Sequence, residues 1–97
     1  MKLSDNHYNL IFAFERFYEF FVLNKFNDVS LTITNDYFIN GRFKYLSYSF
    51  VFNYCSLDCS LLCSYKSLSS NIITKRFSNV SSFIEFLETA FINVNGQ

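Results

Sequence analysis

Ninety-seven residues, 51% hydrophobic and 22% aromatic with 14 Phe, no Trp, no Pro and two Gly, are too apolar for disorder and enough for a single α+β domain over 1–97. Eight basic and eight acidic side chains cancel, which leaves no net long-range field for nucleic acid or anionic lipid and argues against an acidic nucleic-acid mimic. Three cysteines, an odd number, argue against a disulfide framework; with no secretory signal and no uncharged apolar run near the ~20 residues of a membrane span, the sequence predicts a cytoplasmic chain with reduced thiols and no membrane association.

The first predicted element is a helix. Ser4, Asp5 and Asn6 offer N-caps, and Leu10, Phe14, Phe17 and Phe21 follow at i, i+4, i+7 and i+11 on one stripe. Ile11, Ala13, Tyr18 and Phe20 widen that stripe. Asn9, Glu15, Arg16 and Glu19 make a narrow polar strip, with Phe12 and Leu23 beside it. So broad an apolar arc predicts cover on more than one side. The pattern breaks from Asn24 to Asp28.

From Val29 the period becomes two. Val29, Leu31, Ile33, Tyr37 and Ile39 fall on one face, and Ser30, Thr32, Thr34 and Asp36 on the other. Asn40-Gly41 is the preferred pair for a type I′ turn and predicts a long hairpin. A turn at Asn35-Asp36 leaves a three-residue strand before Asn40-Gly41 and is set aside. The Asn40-Gly41 turn pairs Ile33 with Tyr48, Leu31 with Phe50 and Val29 with Phe52 on an apolar face. Thr34 and Ser47, and Thr32 and Ser49, then pair on a hydroxyl face. A loop over Cys55–Asp58 continues the pattern, pairing Tyr54 with Cys59, Phe52 with Leu61, Phe50 with Cys63 and Tyr48 with Tyr65.

Residues Ser67 to Asn71 read as a loop and Ile72 to Phe77 as a short fourth strand. A second helix follows, capped by Ser82 with Glu85 three residues on, or by Ser78. Its stripe is Phe83, Leu87, Ala90, Phe91 and Val94, and Gly96 lies past its end. The order α-β-β-β-(β)-α predicts an α+β fold, a three- or four-stranded antiparallel meander with both helices on one face.

Reaction chemistry is thinly represented. Cys59 and Cys63 on one strand stand about 13 Å apart, too far for a disulfide or a shared ion, and read with Cys55 as small core hydrophobes. His7 has no motif-placed partner to orient it, and Glu15 and Glu19 read as a solvated strip. Neither glycine sits in a phosphate-binding sequence. The expectation is a non-enzyme with no cofactor and no metal.

Two surfaces remain. The Asn40-Gly41 tip gathers Phe38, Phe43 and Tyr45, with Arg42 and Lys44 projecting from the other face, a composition suited to binding a protein. A cross-strand pair that merely stabilises the hairpin is the plainer reading of the rings. Phe12, Phe20 and Leu23 on the first helix make a second surface, for a dimer or a partner. The expected function is a small protein-interaction module acting by stoichiometric binding. Phe, Tyr, Asn, Ile and Lys have A/T-rich codons, so an inhibitor or accessory protein of a phage or mobile element fits, with an anti-CRISPR-like inhibitor of a host defence complex as one concrete form. A homodimer acting through assembly, a nucleic-acid binder using Arg42, Lys44, Lys75, Arg76 and the tip aromatics Phe38, Phe43 and Tyr45, and a thiol enzyme are the alternatives.

Overall fold

A computed structural model describes residues 5–93. The elements are α1 (Asp5–Leu23), β1 (Asn27–Thr34), β2 (Phe38–Tyr45), β3 (Tyr48–Cys55), β4 (Leu61–Ser67), β5 (Ile73–Phe77) and α2 (Val80–Leu87), the last extended by a π-helical turn over Glu88–Ile92. The five strands form one antiparallel sheet in the order β1-β2-β3-β4-β5. Both helices pack on one face of it, as expected for the α+β fold. Ser4, Val94 and Gly96, read as cap, stripe member and helix end, lie outside the described residues.

α1 ends where the sequence breaks. Lys25 adopts φ 55°. Its N–H donates to Val22 O at 3.3 Å, and the Phe26 N–H donates to Phe21 O at 3.2 Å. These two bonds form a Schellman motif, and the Phe26 ring packs on Phe21 at 5.3 Å, the apolar contact that accompanies it.

The first hairpin turns at Asn35-Asp36, not at Asn40-Gly41. Asn35 and Asp36 hold φ 55° and 59°, and the Tyr37 N–H donates to Thr34 O at 3.3 Å. That is I′ geometry at two residue types that tolerate the left-handed region. Asn40 and Gly41 lie inside β2, and neither has positive φ. The expected pairs Ile33–Tyr48, Leu31–Phe50 and Val29–Phe52 therefore do not form; Ile33 faces Ile39 and Leu31 faces Gly41. β2 then turns through Leu46-Ser47, with Leu46 at φ 55°, and Tyr45 faces Tyr48.

Gly41 is in the strand for space. A Cβ there would overlap Cε1 and Cζ of Phe52, and would stand 3.0 Å from Cδ1. The Phe52 ring lies across the glycine and is held from above by Phe17 at 4.8 Å and Phe83 at 5.3 Å.

The β3–β4 connection is two residues longer than the sequence suggests. Tyr54 pairs with Leu61, Phe52 with Cys63, Phe50 with Tyr65 and Tyr48 with Ser67. Cys59 sits in the loop with φ 62°. Asp58 accepts from the Ser60 N–H at 3.0 Å and the Ser60 hydroxyl at 2.7 Å, which holds the longer loop. A shift of two keeps every side chain on its expected face. β5 pairs with β4, Ile73 facing Tyr65 and Phe77 facing Leu61.

α2 is capped by Asn79, whose side chain accepts from the Ser82 N–H at 2.8 Å, rather than by Ser82 or Ser78. Phe83, Leu87 and Phe91 are buried as the stripe requires, while Ala90 is exposed. Between the layers lies an aromatic core. Phe17 touches Phe52, Tyr54 and Phe83, and Phe91 meets Tyr48, Phe50 and Tyr65 edge to face.

Candidate interaction surface

With both helices on one face, the other face of the sheet is open to solvent. Strand alternation decides what stands on it. β2 presents Phe38, Asn40, Arg42 and Lys44; β3 presents Ser49, Val51 and Asn53; β4 presents Leu62, Ser64 and Lys66; β5 presents Thr74 and Arg76. Polar side chains bridge the strands. The Asn40 amide donates to Thr34 Oγ1 at 2.7 Å, the Asn53 amide donates to Asn40 Oδ1, and the Ser64 and Thr74 hydroxyls bond at 2.9 Å. These ladders fix the floor.

Two depressions flank the middle of this face. One of about 510 Å³ is lined by Asp28, Ser30, Arg42, Lys44 and Val51, among others. A second of about 150 Å³ is lined by Ser49, Val51, Ser64, Tyr65, Lys66 and Ile72. Val51 belongs to both and is 55% exposed. Asp28, at a bulge where β1 slips one residue against β2, pairs with Lys44 at 3.6 Å. Arg42, Lys66 and Arg76 are exposed beside them.

The cluster expected at an Asn40-Gly41 tip is split by the sheet. Arg42 and Lys44 stand on the open face. Phe43 is 1% exposed, in the core against Phe50 at 4.6 Å and Phe26 at 5.0 Å. Tyr45 shares that core face and meets Phe26 edge to face at 5.1 Å. Phe38 is half-buried at the far end of β2, opposite Thr34 and Cys55. Moving the turn from Asn40-Gly41 to Leu46-Ser47 reverses the faces of Phe43 and Tyr45, which is the physical reason for the correction. Val51 and Lys66 were not among the expected site residues, although their alternation with Phe50, Phe52 and Tyr65 was the available signal; Arg76, expected beside Lys75 for nucleic acid, stands on this face.

On α1, Phe12 and Leu23 are 62% and 70% exposed, as a docking surface requires. Phe20 is half-buried: its ring packs on Phe21 and Phe26 at 5.8 and 5.6 Å, and it lines a shallow surface pocket with Glu19 and Leu23. Arg16 reaches across to α2 and donates to Ser81 Oγ at 2.8 Å. An apolar groove of about 490 Å³ runs between α1 and the edge strand β1, lined by Phe14, Tyr18, Val22, Lys25 and Leu31, among others.

Of the three free thiols, those of Cys55 and Cys59 are partly exposed and that of Cys63 is buried. Cys63 is buried in β4, and burial pushes its thiol up to about 12. Burial, with a hydrogen bond to Cys59, holds the Tyr54 hydroxyl protonated far above its ordinary range. Lys75 of β5 stands on the core side, 5.1 Å from the centre of the Phe86 ring, rather than beside Arg76. Among the described residues, no group of three or more His, Cys, Asp or Glu is placed to hold a metal ion, and no helix is long and apolar enough to cross a membrane. No protein-family model matches the chain, and comparisons with curated proteins and with solved structures find no significant similarity.

Proposed function

We propose that this chain is a non-enzymatic protein-interaction module that binds its partner stoichiometrically through the open face of the sheet. One observation carries the proposal: the uncovered face has an aliphatic centre at Val51 and Leu62, with Arg42, Lys44, Lys66 and Arg76 around it. An apolar centre within a charged, Arg-containing rim is the anatomy of a protein interface. A single-stranded nucleic acid fits less well, because base stacking needs aromatic platforms and, among the described residues, the strands present only the half-buried Phe38 on this face. An inhibitor or accessory protein of a phage or mobile element, occupying a host complex in the anti-CRISPR manner, is the narrower form, and it rests on composition and size.

The test is affinity capture from cells of the chain's origin, comparing wild type with Arg42→Glu/Lys66→Glu. Both side chains are exposed, so the variant keeps its far-ultraviolet circular dichroism. The expected result is a one-to-one complex with wild type that the variant loses. Equal capture by both proteins would remove the open face from consideration.

A further inference from the structure

We propose that the open sheet face receives the outward ridge of α1 from a second copy of this chain, head to tail. The proposal rests on the sheet face being a docking surface and names its occupant. The net charge of zero conceals a segregation. The outward side of the helix layer carries Glu15, Glu19, Glu85 and Glu88, all exposed, against the one cation Arg16, which donates to the Ser81 hydroxyl and keeps its charge. The sheet face carries Arg42, Lys44, Lys66 and Arg76 against the one acid Asp28, whose pairing with Lys44 leaves Arg42, Lys66 and Arg76 as its unpaired cations.

Apolar groups follow the same division. Tyr8, Phe12, Glu15, Glu19 and Leu23 are spaced 4, 3, 4 and 4 residues apart and form one ridge pointing away from the core. At 1.5 Å per residue the ridge is about 22 Å long, and an eight-residue strand such as β3 spans about 26 Å. The ridge thus brings carboxylates and exposed Phe and Leu to a face of matching length with cations and exposed Val and Leu. A helix lying along this sheet is a packing the chain already makes on its other side.

Charge also selects the symmetry. A two-fold axis would place sheet face on sheet face, or helix layer on helix layer, and like charges would meet. Only the heterologous contact brings opposite charges together, and such a contact repeats from copy to copy, ending only where its rotation closes a ring of three or more.

Sedimentation equilibrium across a concentration series decides the matter. At low ionic strength the weight-average mass should climb continuously above the monomer's 11.5 kDa. It should return to that value at roughly 0.5 M salt, where charges are screened beyond a few ångströms. A mass independent of concentration, or a plateau at two copies, would overturn the proposal. Lys44→Glu/Lys66→Glu spoils the sheet face, and Phe12→Ser/Leu23→Ser spoils the ridge. Each should be monomeric alone, and their equimolar mixture should form pairs and nothing larger, since each supplies one intact face. A mixture that stays monomeric overturns the head-to-tail contact. If wild type is monomeric while Arg42→Glu/Lys66→Glu still loses a captured partner, the docking face stands and only its occupant is wrong.

Discussion

Replacing Gly41 with alanine isolates the packing that organises the sheet. A methyl group at this position overlaps two carbons of the Phe52 ring and lies 3.0 Å from a third, well inside the ~3.5 Å of ordinary carbon contact. The ring has nowhere to retreat, because Phe17, Phe21, Phe43 and Phe83 surround it at 4.8 to 6.1 Å. Overpacking of this kind costs about 1–3 kcal/mol. Alanine returns about 0.4–1 kcal/mol by narrowing the unfolded ensemble. The expected net loss is about 1.3 kcal/mol, a fall in Tm of roughly 5–10 °C for a domain this size. Urea denaturation followed by circular dichroism measures it. The cause is separable with Phe52→Leu, which shrinks the ring. The double variant should be more stable than the sum of the two single losses predicts, by at least about 1 kcal/mol, as expected for residues in contact. A neutral Gly41→Ala, or strictly additive losses, would refute the packing account.

Two further measurements test local features. Lys25 occupies the left-handed position that ends α1, a conformation costing a non-glycine residue about 1–2 kcal/mol. Lys25→Gly should therefore raise stability in urea by about 0.5–1 kcal/mol after glycine's larger unfolded entropy is subtracted; a loss would show that the lysine side chain contributes something the Schellman geometry does not. The buried Cys63 thiol has its folded pKa raised from 9.0 to about 12. Its stabilising contribution is complete below pH 9.0 and is lost as pH rises through about 12, at about 1.4 kcal/mol per pH unit between those values. Wild type should therefore lose stability faster than Cys63→Ala as pH is raised from 9 to 10.5; parallel curves would mean the thiol is not desolvated.

The core-facing side of β3 was legible in the sequence although its register, and the turn before it, were not. Any two-residue turn between directly paired positions switches the core-facing residues from odd to even numbers. The switch occurs at Leu46-Ser47, and a turn at Asn40-Gly41 switches parity too. Tyr48, Phe50, Phe52 and Tyr54 therefore face the core under either assignment, and β4 follows them. The residues between the two turns receive the wrong face, which is why Phe43 and Tyr45 were read as surface groups. Asn-Gly is chemically the better turn pair, and Leu46 at positive φ is not recognisable from its side chain. The opposing signal was the run of Ile39, Phe43 and Tyr45 against Asn40, Arg42 and Lys44, continuous through the glycine. The basic surface was partly legible, because Arg42, Lys44 and Arg76 stand out as cations. Lys66 joins them, and Lys75 leaves them, only through the order of four strands, which no local pattern contains.

The uninterrupted strand order has a consequence for the sequence of events in folding. Each strand pairs only with its neighbours in the chain, so the sheet can grow one hairpin at a time with short loops to close. The core cannot be completed in that way. Phe17 of α1 meets Phe83 of α2 at 6.1 Å, across about three-quarters of the described chain, and Arg16 reaches Ser81 over a similar span. α2 is the last helix in chain order, so the apolar face of β4 and β5 stays uncovered while a nascent chain already holds all five strands. During that interval the assembled sheet is an exposed hydrophobic surface with two open edges, the state in which association with other chains competes with folding. Final closure is thus a meeting of the two ends of the domain, and its timing follows the delivery of α2.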